Sequence, residues 1–190
     1  MSGFENDIKN CLAVLNRGGI ILYPTDTIWG LGCDATNEKA VQKIYELKSR
    51  PEKKGMIILL SKQKEINNYV KKIDEKIVDI IHKKQTPTTV IYRGARNLAD
   101  NLINEDGSIA IRFVKDEFCQ ALIDRFEKPI VSTSANISGS PHPASFWDID
   151  IKIKSGVEYI VQHRQNEKNV CKPSAIVKLN EDDSFTVIRE

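Results

Sequence analysis

The sequence predicts an α/β fold: one domain over residues 1–190, built around a largely parallel or mixed sheet with helices packed on it. Three observations carry this expectation. Apolar residues recur at helical spacing in separate segments, an unbroken apolar run from Met56 to Leu60 reads as a strand covered on both sides, and the two patterns interleave before a strand-rich end.

Taken in order, Phe4, Ile8, Cys11, Leu12 and Leu15 mark an amphipathic helix that Gly18-Gly19 terminates, and Ile20 to Tyr23 is a strand. A loop from Pro24 to Thr36 leads to a helix capped by Asn37, with Ala40, Val41, Ile44 and Leu47 on one face and its end near Pro51. After the Met56 to Leu60 strand, Ser61 and Asp74 read as N-caps of two helices, the second carrying Ile77, Val78, Ile80 and Ile81. Strands follow at Thr88 to Tyr92, Ser108 to Phe113 and Pro129 to Ser132, with a helix around Asp116 to Phe126. Glu158 to Gln162, Ser174 to Leu179 and Phe185 to Arg189 complete the set, the last two joined by the acidic turn from Asn180 to Ser184.

Composition bounds the function. Hydrophobic content of 41% and charged content of 28% argue for a folded core. With 28 Lys plus Arg against 26 Asp plus Glu, the net charge of +2 excludes a histone-like polycation and leaves room for a local basic groove. Cys11, Cys33, Cys119 and Cys171 form no C-x-x-C pair, and the start MSGFENDIKN has no signal-peptide character, so a reducing cytoplasm is the expected location. No apolar run approaches the ~18 residues of a membrane span. His82, His142 and His163 lack metal-ligand spacing, so no protein-held metal is expected.

Several segments bear chemistry. Gly30-Leu31-Gly32-Cys33-Asp34-Ala35 matches a dinucleotide-binding pattern in letters but lacks the abutting strand and helix, so its glycines are read as letting a loop turn tightly against a ligand or the sheet. Tyr23-Pro24-Thr25-Asp26-Thr27 puts hydroxyls and a carboxylate at a strand end, where α/β sheets bind ligands; it fits an ordinary capped turn equally well. Lys48, Arg50, Lys53 and Lys54 are either a solvated face beside a helix C-terminus or the mouth of a polyanion site. Ser132-Thr133-Ser134-Ala135-Asn136-Ile137-Ser138-Gly139 runs from a buried strand into small polar residues suited to an anion or nucleotide; no nucleophile elbow surrounds its serines.

In this order and spacing, Gly18-Gly19, the Y-P-T-D-T and G-L-G-C-D stretches, Lys48-x-Arg50, Ser108 to Arg112, S-T-S-A-N-x-S-G and Pro173 to Val177 resemble the YrdC/YciO family over nearly the whole chain. The resemblance implies a twisted sheet with a deep basic cleft, and the synthesis of threonylcarbamoyl-AMP from L-threonine, bicarbonate and ATP, with Mg2+ accompanying the nucleotide. It implies that Lys48 and Arg50 face the phosphates, and that Ser108, Ser134 and Asn136 hold the nucleotide. Thr25, Arg112, Ser132 and Ser174 would line the threonine pocket, with Arg112 on the amino acid carboxylate. Arg189 matches an arginine that longer members close over ATP.

The chain departs from the family at Lys53-Lys54-Gly55-Met56, where many members have N-P-L, and at Gln85-Thr86-Pro87-Thr88-Thr89, a reduced form of W-P-G-P-x-T. The second domain of longer members is missing, so any lid would come from this domain. Implied partners are a threonylcarbamoyl transferase machinery downstream and an RNA or tRNA contact, with no membrane. Two other functions fit the same residues: an RNA-binding or ribosome-maturation factor, and a YciO-like paralogue with a different activity.

Overall fold

The computed structural model describes residues 3–51, 55–71, 73, 78–79, 81, 86–167, 172–180 and 182–190. Lys53, Lys54, Asp74, Ile77, Ile80, His82, Gln85 and Cys171, all named above, and Glu181 of the acidic turn lie outside these residues.

Helix α1 (Glu5–Leu15) buries Ile8, Cys11, Val14 and Leu15 on one face. It stops where Gly18 takes a left-handed φ of 68° and Gly19 N–H donates to the Val14 carbonyl at 3.0 Å. Strand β1 (Ile21–Tyr23) then pairs antiparallel with β2 (Gly30–Gly32), which sequence reasoning placed inside a loop. The reason for the miss is local: a three-residue Gly-Leu-Gly strand has too few side chains to show period-two alternation. At Gly32 a Cβ would lie 2.7 Å from the Tyr23 ring and 3.0 Å from the Val131 carbonyl, so these glycines serve close strand packing.

Helix α2 (Glu38–Leu47) is capped as expected, the Asn37 side chain accepting from Ala40 N–H. Strand β3 (Ile57–Leu60) is followed by a 3-10 turn and the short helix α3 (Ile66–Tyr69). Ser61 is not a helix cap. The turn that follows begins one residue later, with Lys62 at its N-cap, and the Ser61 hydroxyl donates instead to Asp124 Oδ1 on a distant helix at 2.6 Å. Strand β4 (Thr88–Arg93), β5 (Ser108–Phe113) and helix α4 (Glu117–Phe126) follow the expected order, α4 capped by Asp116 through Cys119 N–H.

Strand β6 (Ile130–Ser134) runs two residues beyond its expected end because β2 pairs with it, Leu31 against Thr133 and Gly30 against Ser134. Helix α5 (Ile151–Ser155) was not foreseen. Strand β7 (Tyr159–Ile160) is shorter than expected, since Gln162 and His163 N–H groups donate to the buried Asp7 carboxylate. Strands β8 (Ala175–Leu179) and β9 (Phe185–Arg189) form the terminal hairpin.

Among the described residues, nine strands make one sheet in the order β7-β1-β2-β6-β3-β5-β4-β8-β9. Only β1/β7, β3/β5 and β4/β8 pair in parallel, so the sheet is mixed rather than largely parallel. Its central strands carry the core, with Ile58, Leu59, Ile109, Ile111, Ile130 and Val131 buried. No described helix is long and apolar enough to cross a membrane.

Candidate active site

A cavity of about 200 Å³ opens over β2, β6, β3 and β5. The pairing explains why. Ser132 stands opposite Ile57, Ser134 opposite Gly30, and Arg112 opposite both Leu59 and Thr89, so small polar residues and one arginine surface together from adjacent strands. Arg50 enters from the chain leaving α2, Ser174 from the approach to β8 and Arg189 from the end of β9. Trp29, Met56, Ile57 and Ile176 form its apolar wall, and Trp29 packs on Phe146 with ring centroids 4.9 Å apart. Three arginines and no carboxylate line it among the described residues.

Arg112 is only 3% exposed, an unusual place for a guanidinium. One terminal nitrogen lies 3.1 Å from Asp26 Oδ1, the other donates to Thr27 Oγ1 at 3.2 Å, and its buried Nε has no hydrogen-bond partner. Burial raises the Asp26 carboxyl despite the opposing pull of Arg112. Thr25 lies behind this pair. Its hydroxyl donates to the Ile28 carbonyl at 2.8 Å and accepts from Thr27 N–H at 3.1 Å, fixing the turn that presents Thr27, and it lines a small neighbouring pocket.

Arg50 Nη2 donates to the Gly55 carbonyl at 2.7 Å, and burial lowers its guanidinium below the usual value. Lys48 is 1% exposed and does not line the cavity. Its ammonium donates to the carbonyls of Ser134 and Asn136, the latter at 2.5 Å, while its own carbonyl accepts from Ser138 N–H at 2.9 Å. The end of α2 is thereby pinned to the loop after β6. Burial, with Arg50 adding, lowers this amine to about 7. Asn136 closes the same loop, donating to the Ser140 carbonyl at 2.6 Å.

Ser108 lies outside the lining. Its hydroxyl donates to Asp106 Oδ1 at 2.5 Å and accepts from Asn104 Nδ2 at 3.0 Å. Asn104 packs tightly enough on Gly55 that a Cβ there would lie 2.3 Å from its Oδ1, so Asn104 and Gly55 link Ser108 to Arg50. Ser174 Oγ is 2.8 Å from Thr89 Oγ1, and the Ser174 carbonyl accepts from Arg189 Nε at 3.2 Å and Nη2 at 2.8 Å. Of the residues named from sequence, Arg50, Arg112, Ser132, Ser134, Ser174 and Arg189 meet at the cavity, whereas Thr25, Lys48, Ser108 and Asn136 stand around it. Thr27, Trp29, Met56 and His142 line it as well and were not assigned to a site from sequence. Thr27 shares the Thr-Asp-Thr turn and was within reach of sequence reasoning; nothing in the sequence marks the other three.

A family model described as Telomere recombination, Sua5_yciO_yrdC, matches residues 13–190. The chain belongs to the Sua5/YciO/YrdC family. Among the members it resembles, the threonylcarbamoyl-AMP synthase of Vibrio campbellii is 30% identical over 179 residues, covering 93% of this chain and 94% of that protein. The threonylcarbamoyl-AMP synthase of Pseudoalteromonas translucida is 32% identical over 160 residues, covering 83% and 86%. Among solved structures of the Sua5/YciO/YrdC family, P. abyssi Sua5 complexed with L-threonine superposes with a TM-score of 0.88 at 26% identity. That match covers 97% of this chain and 54% of the P. abyssi protein, so the chain spans about half its length. This likeness places the mixed sheet described above within the family fold.

Proposed function

We propose that the chain is a threonylcarbamoyl-AMP synthase, acting as one catalytic unit in the cytoplasm. The observation that carries this reading is the convergence of Arg50, Arg112 and Arg189 with Ser132, Ser134 and Ser174 on one cavity that no carboxylate lines among the described residues. The names of the relatives support it, as does L-threonine in the P. abyssi complex.

The reaction suits such a lining. The ammonium of threonine first gives up a proton to solvent; the free amine then attacks the carbon of bicarbonate, water leaves, and a carbamate remains. A carbamate oxygen then attacks the α-phosphorus of ATP, and the bond to the bridging oxygen breaks with its electron pair on departing pyrophosphate. This is a nucleotidyl transfer that needs no covalent protein intermediate, so positioning and charge neutralisation are what the protein supplies.

In this reading Arg50 and Arg189 bind the phosphates, while Arg112 offers its free Nε to the threonine carboxylate. Ser132, Ser134 and Ser174 supply hydroxyls to nucleotide and amino acid. Lys48 and Asn136 hold the loop after β6, Thr25 holds the Thr27 turn, and Ser108 supports Arg50 through Asn104. With no carboxylate in the lining among the described residues, Mg2+ would be carried by the triphosphate, and no residue is assigned to it. The product would pass to a transferase that installs threonylcarbamoyladenosine in tRNA, and the cleft would also be the place of an RNA contact.

Pyrophosphate release tests the reading. It is expected only when ATP, threonine and bicarbonate are all present; threonine-independent release, or none across pH and metal conditions, contradicts it.

A further inference from the structure

His142 lies between Pro141 and Pro143, downstream of the loop that Lys48 pins, and lines the cavity with Arg50, Arg189 and Ser134, itself exposed. Two prolines restrict the backbone on either side of it, so the imidazole is presented by a stiff segment. Among the described residues, the charged groups that face it are cations: Arg189 from β9 and Lys48 from the end of α2 act on it electrostatically, and Arg50 and Arg112 line the same space. Among the described residues no carboxylate lines that space to offset them. Partial burial first, then Arg189 and Lys48, hold the imidazole below its ordinary value, which favours the neutral ring in the free protein.

A polyphosphate entering this cavity reverses the field. Its negative charges outweigh the repulsion from the arginines and favour the imidazolium, which gains a charge-assisted hydrogen bond to a phosphate oxygen. We propose that His142 is a phosphate ligand of this cavity and takes up one proton from solvent when ATP or pyrophosphate binds. This rests on the reading of the cavity as the nucleotide site. No bond to the protein forms or breaks; one proton moves from buffer to the ring on binding and returns on release. ATP and pyrophosphate therefore bind more tightly on the acid side, and pyrophosphate departs more readily as pH rises.

The test is calorimetric titration of pyrophosphate, and separately of ATP without threonine, into the wild-type protein and H142Q. It is run at pH 6.5 and pH 8.5, in two buffers of different ionisation enthalpy that report proton uptake. Because His142 is exposed, H142Q keeps the fold, checked by its melting temperature. Lys48 also titrates near neutrality, so the pair is repeated in a Lys48→Met background, where any remaining difference belongs to His142. H142Q is expected to take up less proton, to bind about fivefold more weakly at pH 6.5, and to match wild type within about twofold at pH 8.5. Equal binding and proton uptake at both pH values, or equal weakening at both, overturns the proposal. A wild-type protein that binds neither probe overturns the nucleotide-site reading itself, and the role of His142 falls with it.

Discussion

Arg112 holds its place through Asp26 and Thr27 and keeps one donor in hand, so removing it should affect one substrate more than the other. Arg112→Ala is expected to raise the KM for threonine at least tenfold, since a charge-assisted hydrogen bond contributes about 1.5–3 kcal/mol, with a smaller change for ATP. Initial rates against each substrate in turn check this, and the opposite ranking would move Arg112 to the nucleotide. Lys48 carries a prediction in pH. Its amine sits at about 7 in the native protein, against roughly 10.4 in an unfolded chain. Between those values the unfolded chain binds a proton that the native state has released, so unfolding free energy from this group rises with pH. Below pH 7 both states are protonated and the full cost of burying the charge is present. In urea melts, wild type should therefore gain on Lys48→Met between pH 7 and pH 9.5, by at most about 1.4 kcal/mol per pH unit. A difference that does not change with pH contradicts this account of Lys48.

Strands β2 and β6 decide where the serines stand. Their contact is close because Gly32 lacks a side chain beside Tyr23 and the Val131 carbonyl. Gly32→Ala should destabilise by about 1–3 kcal/mol through overpacking, read from denaturant melts; an unchanged midpoint would mean that the strand pair relaxes freely. The same pair shows what sequence could and could not reveal. Helices α1, α2 and α4 and strand β5 were legible because each repeats a pattern over enough residues for its period to show, with Asn37 and Asp116 marking two starts. Strand β2 was invisible at three residues, and Ser61 proved to lie one residue ahead of the turn, its hydroxyl on Asp124, a partner 63 positions away. The site followed the same division. Arg50, Arg112, Ser132 and Ser134 were legible through motifs, whereas His142 reaches the cavity from the chain after β6 and Trp29 from the residue before the unforeseen strand β2.

In the whole molecule, charge is distributed by the order of the sheet. A net charge of +2 hides a cavity lined by Arg50, Arg112 and Arg189, while the acidic Asp182 and Asp183 sit at the far turn of the β8–β9 hairpin. Arg189 stands on the edge strand β9, whose residues are all exposed, and is held by the Ser174 carbonyl on the preceding segment. The hairpin therefore sets two lining residues at once. Asp183→Lys, at its turn, should leave the KM for ATP within about twofold, because an exposed charge remote from the cavity is screened; a tenfold change would show that the turn reaches the site. The central claim is that this cavity joins three substrates into one adenylate. Its most direct test is mass spectrometry of the product formed from ATP, L-threonine and 13C-labelled bicarbonate. The account predicts a single species containing threonine, one labelled carbon and AMP, formed together with pyrophosphate and lost in Arg112→Ala at low threonine. Nucleotide turnover that leaves the label out of any AMP-linked product would contradict it.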